Sequence, residues 1–161
     1  MEQTFDRAEV ERLVNTYSDL ILRVSYTYLN STHDAQDICQ TVFLKLLTGK
    51  QKFRSPEHEK AWMIRTAINA CKDVLGSAWR SRTCGIEACA EAAAPEPEEG
   101  SLLAAVNMLP EKYRMVIYLH YYEGYSAREI AAMLGENAAT VGTRLFRGRK
   151  QLRSMLEGET V

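Results

Sequence analysis

The stretch that most limits the fold is residues 83–100, TCGIEACAEAAAPEPEEG, just past the middle of the chain. It carries five glutamates, no basic residue and almost no bulky apolar side chain, so it cannot bury a core of its own. It reads as a flexible acidic Ala/Glu/Pro linker. One continuous core through the 161 residues is therefore excluded, and residues 1–82 and 101–161 must each fold as a small domain.

Both flanking blocks carry helical periodicity and no useful strand alternation. Residues 8–29 place Val10, Leu13, Val14, Tyr17, Leu20, Ile21, Val24 and Tyr28 on one stripe. After a break at Asn30-Ser31-Thr32, residues 34–48 place Ile38, Val42, Leu46 and Leu47 together. A basic loop, TGKQKFRSPEHE, follows. Ser55 is a natural N-cap and Pro56 suits the first helical position. The next helix is expected to run to about Arg82, with Ile64, Ile68, Cys71 and Leu75 inward. In the second block a helix restarts at Pro110 and runs to about Tyr122. The expected fold class is all-α, two small helical domains on an acidic tether.

The segment YSAREIAAMLGENAATVGTRLF has the parts of a helix-turn-helix. Ser126 and Glu129 form an S-x-x-E capping box, Gly135 suits a left-handed terminus, and Asn137 caps the second helix. Ala131 is small where the helices cross, and Ile130, Leu134, Val141 and Leu145 supply the shared core. On the second helix Thr140, Thr143, Arg144 and Arg147 fall opposite that core, with Arg149, Lys150 and Arg153 on the flank and end. No acid occurs between Glu136 and Glu157. A helix with such a face fits the major groove, its early residues at base edges and its arginines on phosphates.

The net charge of −1 conceals this asymmetry: the two blocks are each +2 and the linker −5. Cys39, Cys71, Cys84 and Cys89 form no C-x-x-C pair and the three histidines are scattered, so no metal site is expected. Cys39 and Cys71 read as small core hydrophobes, and Cys84 and Cys89 as candidates for redox sensitivity. No phosphate-binding glycine loop or nucleophile–base pattern appears, so neither enzyme, cofactor nor small-molecule substrate is expected. No apolar run approaches membrane length, and MEQTFDRAEVER lacks a signal-peptide core; a cytoplasmic protein without membrane insertion is expected.

Residues 109–156, LPEKYRMVIYLHYYEGYSAREIAAMLGENAATVGTRLFRGRKQLRSML, resemble region 4 of bacterial sigma factors of the extracytoplasmic-function group. DAQDICQTVFLKLL (34–47) resembles region 2.2, and FRSPEHEKAWMIRTAINACKDVL (53–75) is similar to regions 2.3 and 2.4. The resemblance implies a promoter-specificity subunit that binds core RNA polymerase and reads promoter −10 and −35 elements. It also implies regulation by an anti-sigma factor. Asp34, Asp37, Gln40 and Phe43 would contact polymerase; Asp34 has the alternative of capping its helix. Phe53 and Arg54, in the basic loop, would grip a flipped −10 base, with Trp62, Arg65, Asn69, Lys72, Arg80 and Arg82 extending that surface. Core packing for Trp62 and a buried backbone partner for Asn69 are the structural alternatives. Thr140, Thr143, Arg144, Arg147, Arg149 and Lys150 would serve the −35 element. The resemblance also implies that the linker threads the polymerase cleft towards the RNA exit path, with a solvated tether as the alternative.

Departures from the family pattern fall at Glu136, usually apolar, at Gly142-Thr143, commonly a basic residue and serine, and at Thr66 and Ile68. Gly142 then marks a missing basic contact, and Gly142→Lys is expected to add one. Gly148, on the inner face, is expected to serve close packing, with alanine tolerated there and leucine damaging. The competing reading is a helix-turn-helix regulator that acts without polymerase, which would need no contact surface on residues 34–47 and would favour palindromic sites.

Overall fold

The computed structural model describes residues 5–49, 51–78 and 101–158. These are helical, with no strand among them, and divide into two compact units on either side of residues 79–100. The predicted end of the third helix at Arg82, and the linker with Cys84 and Cys89, lie outside the described residues, as does Lys50.

The first unit is a three-helix bundle: α1 (Arg7–Leu29), α2 (Thr32–Thr48) and α3 (Pro56–Ala78). Local chemistry sets each boundary. The Asp6 carboxylate accepts from the Glu9 backbone N–H at 2.8 Å and starts α1. Asn30 ends it in the left-handed region (φ 53°), where its N–H reaches the Tyr26 carbonyl. Ser31, accepting from the Asp34 N–H at 3.2 Å, caps α2, so the capping alternative for Asp34 falls to its neighbour. Ser55 caps α3 through the His58 N–H at 3.1 Å, with Pro56 next.

The bundle core joins Leu13, Leu20, Ile21 and Val24 of α1 to Ala35, Ile38, Val42 and Leu46 of α2 and to Met63, Ile64, Ala67, Ile68 and Cys71 of α3. Three residues predicted inward lie outside it: Val14, Leu47 and Leu75 are exposed. Each sits a residue or so round the helix from a buried neighbour, and an apolar stripe of helical period does not say how wide the buried sector is. A polar tie crosses the same bundle. Buried Glu59 accepts from Arg12 at 2.9 and 3.3 Å and from the Tyr17 hydroxyl at 2.6 Å. Glu9 adds a second carboxylate to Arg12 at 2.7 Å. The guanidinium holds the Glu9 carboxyl below its ordinary range, and both carboxylates raise Arg12 further above its own.

The second unit contains α4 (Leu102–Asn107), α5 (Glu111–Ile117), α6 (Ala127–Leu134) and α7 (Ala138–Leu156). The helix expected from Pro110 to about Tyr122 changes character part-way. After Ile117 the chain widens into a π-helical turn, Tyr118–Tyr122, with the Glu123 N–H bonded to the Tyr118 carbonyl. Side chains support the wide turn: the Tyr118 and Tyr122 rings stack at 5.6 Å, and the Tyr118 hydroxyl donates to Glu123 at 2.7 Å. Buried Arg114 closes the α4–α5 turn, donating to the Leu109 carbonyl at 3.0 Å.

The helix-turn-helix signals act as read. Ser126 and Glu129 satisfy each other's backbone N–H groups at 3.1 and 2.9 Å. Gly135 is left-handed (φ 71°), and the Glu136 N–H returns to the Ala131 carbonyl at 2.9 Å. The Asn137 side chain accepts from the Thr140 N–H at 2.8 Å. Val141, Leu145 and Gly148 form the buried face of α7. A Cβ at Gly148 would lie 3.0 Å from Ile117 Cγ1 and 3.2 Å from Tyr113 Cβ, so α7 presses closely on α5 there. At those distances Ile117 and Tyr113 must give way by a few tenths of an ångström for alanine to be tolerated there. Gly142 faces open space.

Candidate nucleic-acid interface

In the second unit the first turns of α7 meet the start of α5 at an open cleft of about 400 Å³. Thr140, Thr143, Arg144 and Arg147 line it, together with Asn137, Ala139, Lys112 and Tyr113. Four of the six residues predicted on this helix are thus brought together. Lys112 was not anticipated: it lies more than two dozen residues upstream, and only the packing of α5 on α7 carries it there. Three cations and three hydroxyl side chains, those of Tyr113, Thr140 and Thr143, line the cleft. Glu136, in the turn beside it, approaches Arg144 Nη2 at 3.4 Å.

Arg149 is placed elsewhere. Its Nη1 donates to the Tyr121 hydroxyl at 3.0 Å, at a separate apolar groove lined by Leu102, Ile117, Tyr122 and Leu152. Lys150 is exposed. Phe146 is 63% exposed between Leu145 and Arg147, a large apolar group on the outer surface of α7 that the charge pattern had obscured.

In the first unit Phe53 is half-buried and forms the centre of an aromatic cluster. Its ring meets His58 edge-on at 5.7 Å and Trp62 at 5.7 Å. Trp62 is therefore neither core nor free but packs its half-buried ring against the loop. The backbone N–H of exposed Arg54 donates to His58 Nδ1 at 3.1 Å, fixing the loop's turn into α3. Next to Phe53 an open pocket of about 550 Å³ is lined by Phe5, Asp6, Glu9, Gln51, Lys52 and Glu59. Arg65, Asn69 and Lys72 are exposed at i, i+4 and i+7 along α3. Asn69 is thus on the outer face of α3 rather than in the bundle core. Arg80 and Arg82 lie outside the described residues.

On α2, Asp37 and Gln40 are exposed, and Asp37 pairs with His33 at 3.6 Å. Asp34 and Phe43 are half-buried beside them. Leu44 and Leu47, 63% and 47% exposed, give this helix an outward apolar component that the sequence reading had assigned inward or passed over. Among the described residues no group of His, Cys, Asp and Glu is arranged to hold a metal, and no helix is long and apolar enough to cross a membrane.

The chain matches the family models for Sigma-70 region 2 over residues 13–81 and for Sigma-70 region 4 over residues 99–152. It is 31% identical to the RNA polymerase sigma factor SigV of Bacillus subtilis, over 85% of this chain and 84% of that one. The chain belongs to the extracytoplasmic-function group of sigma-70 factors. It is also 32% identical to the ECF RNA polymerase sigma factor SigE of Mycolicibacterium smegmatis, over 91% of this chain but only 61% of that relative's length. The sigma-factor fold recurs in the solved structure of RpoE from Bartonella quintana with the anti-sigma factor NepR, at a TM-score of 0.71 and 22% identity. That match covers 91% of this chain and 96% of the other. CnrH with the cytosolic domain of CnrY matches at a TM-score of 0.62 and 20% identity, over 96% and 92% of the two chains. In this sigma-factor chain the α1–α3 bundle falls in region 2, and the helix-turn-helix in region 4.

Proposed function

We infer that this sigma factor binds core RNA polymerase and directs initiation at promoters with defined −10 and −35 elements. The observation that carries the reading is the ordered match to regions 2 and 4 in one chain. The cluster of Lys112, Arg144 and Arg147 in the cleft at the helix-turn-helix supports it. Asp34, Asp37, Gln40 and Phe43 on α2 engage polymerase, aided by exposed Leu44 and Leu47. The Phe53 loop, with Arg54, Trp62, Arg65, Asn69 and Lys72, engages the unpaired −10 strand. An aromatic ring flanked by cations suits an extruded base. Arg80 and Arg82, outside the described residues, are proposed to contact the same DNA. Thr140, Thr143, Arg144, Arg147 and Lys150 face the −35 duplex, and Arg149 joins them only by leaving Tyr121. The chain itself performs no catalysis and acts in the cytoplasm, and an anti-sigma factor is its regulator; RpoE, which shares the fold, is solved with one.

Reconstitution tests this. The purified chain with core polymerase should start transcription from a defined set of promoters, and neither should do so alone. Asp37→Ala and Gln40→Ala should weaken the binding to core. Tight binding to duplex DNA without binding to core polymerase would instead establish a regulator that works apart from the enzyme.

A further inference from the structure

The turn of the helix-turn-helix holds an acid where the cleft is otherwise cationic. Glu136 follows left-handed Gly135 and precedes the N-cap Asn137. Its backbone is pinned on both sides, by its own N–H to the Ala131 carbonyl and by the Asn137 cap on Thr140. From that fixed point its carboxylate reaches 3.4 Å from Arg144 Nη2. Arg144 is the more enclosed partner, its side chain 26% exposed, while Glu136 is exposed, its side chain at 37%. Lys112, whose Nζ lies 5.1 Å from the Tyr113 ring centroid, and Arg147 line the same cleft, and among the described residues neither is ion-paired to a carboxylate.

We propose that Glu136 is a specificity-determining residue that orients Arg144 toward a guanine edge of the −35 element and discounts its attraction for phosphate. The proposal rests on the sigma-factor reading above. An arginine side chain has large rotamer freedom, and a phosphate accepts it from many directions. A carboxylate on one Nη removes part of that freedom and part of the net charge. The guanidinium has five donors, so its remaining edge still matches the O6 and N7 acceptors of guanine. Lys112 and Arg147 keep their full charge for the backbone. Glu136 therefore lowers sequence-independent affinity while raising discrimination at one base pair. A residue needed only for the turn would lower both when replaced.

The test uses core polymerase with the full chain and a promoter library randomised across the −35 region, transcripts being sequenced. Wild type should enrich guanine at one position or more. Glu136→Gln keeps size and removes charge. It should reduce enrichment at one guanine by about fivefold or more, the range of one bidentate contact. Duplex binding should tighten, with a salt slope steeper by about one phosphate contact. Arg144→Ala should abolish enrichment at that same position, and adding Glu136→Gln should change nothing further there. Unchanged base preference in Glu136→Gln, or an effect that persists in the Arg144→Ala background, would overturn the proposal. A wild-type enzyme that initiates with no −35 preference would remove the functional reading beneath it, which is a separate failure.

Discussion

Replacing Gly148 with alanine sets two well-characterised effects against each other. Alanine removes the helix-propensity penalty of glycine, about 1 kcal/mol in favour of the folded state. The added Cβ, however, would lie 3.0 Å from Ile117 Cγ1, 3.2 Å from Tyr113 Cβ and 3.3 Å from Ile117 Cδ1. Carbon pairs rest at about 3.5–4.0 Å, so all three contacts are compressed. Two of the atoms are within two bonds of the α5 backbone, and both side chains are buried, so relief requires α5 and α7 to separate. Overpacking of this kind costs about 1–3 kcal/mol. The net expectation is a loss of about 1 kcal/mol, hence a melting point about 4–8 °C lower for a unit of this size. Gly142→Ala is the matched control: nothing lies within 4 Å, so it should gain the propensity term undiminished. Five of the eight tyrosines, at 113, 118, 121, 122 and 125, lie in this unit, whereas Tyr17, Tyr26, Tyr28 and Trp62 lie in the first, so its melting is the part of the near-UV circular dichroism change that the tryptophan signal does not share. A Gly148→Ala protein melting at or above wild type would show that the α5–α7 contact yields, and the reasoning from distance would fail.

Gly142→Lys should add about one phosphate contact on open α7 surface, steepening the salt dependence of promoter binding by about 0.9 in the log–log slope; an unchanged slope places residue 142 away from DNA. Tyr17→Phe removes a buried hydroxyl from the Glu59 carboxylate and should cost the first unit about 1.5–3 kcal/mol in urea unfolding, the range for a hydrogen bond to a charged group. Burial pushes the Cys71 thiol up to about 12, against 9.0 for an unperturbed thiol, while the Ser25 hydroxyl partly opposes the shift. The raised folded value means its contribution is intact below about pH 9 and is lost as pH rises towards 12, so Cys71→Ala should flatten that alkaline loss. Site-resolved alkylation at pH 8 should likewise reach half-exposed Cys39 before Cys71.

Features encoded locally were legible in the sequence, and those that depend on packing between helices were not. Capping box, left-handed glycine and N-cap asparagine each act within a few residues, and all three hold. Periodicity located the inner faces but overstated them at Val14, Leu47 and Leu75, because width of burial is set by the neighbouring helix. The π-helical turn after Ile117 left no sequence mark, since nothing in YLHYY (118–122) separates a π-turn from a last α-helical turn. The Arg12–Glu59–Tyr17 tie spans more than forty residues and joins side chains whose types, taken singly, read as surface charge and core aromatic. Lys112 escaped notice for the same reason, its role being conferred by α7.

Gly148 connects these two levels. Tyr113, whose Cβ touches the Gly148 site, also lines the cation cleft, and Lys112 is its neighbour in α5. Arg144 and Arg147 lie within the turn of α7 that leads to Gly148. The absence of a side chain at 148 therefore fixes how near the α5 cation comes to the α7 cations. Gly148→Leu should then do more than destabilise. In whatever fraction stays folded, α5 must stand further from α7, and the contribution of Lys112 to duplex binding should fall. A double-mutant cycle makes this measurable: Lys112→Ala should weaken holoenzyme binding to promoter DNA in the wild-type background and much less beside Gly148→Leu, at a temperature where both remain folded. Equal effects of Lys112→Ala in the two backgrounds would mean that the cleft does not depend on the glycine contact. The charge pattern of α7 would then suffice for the interface by itself.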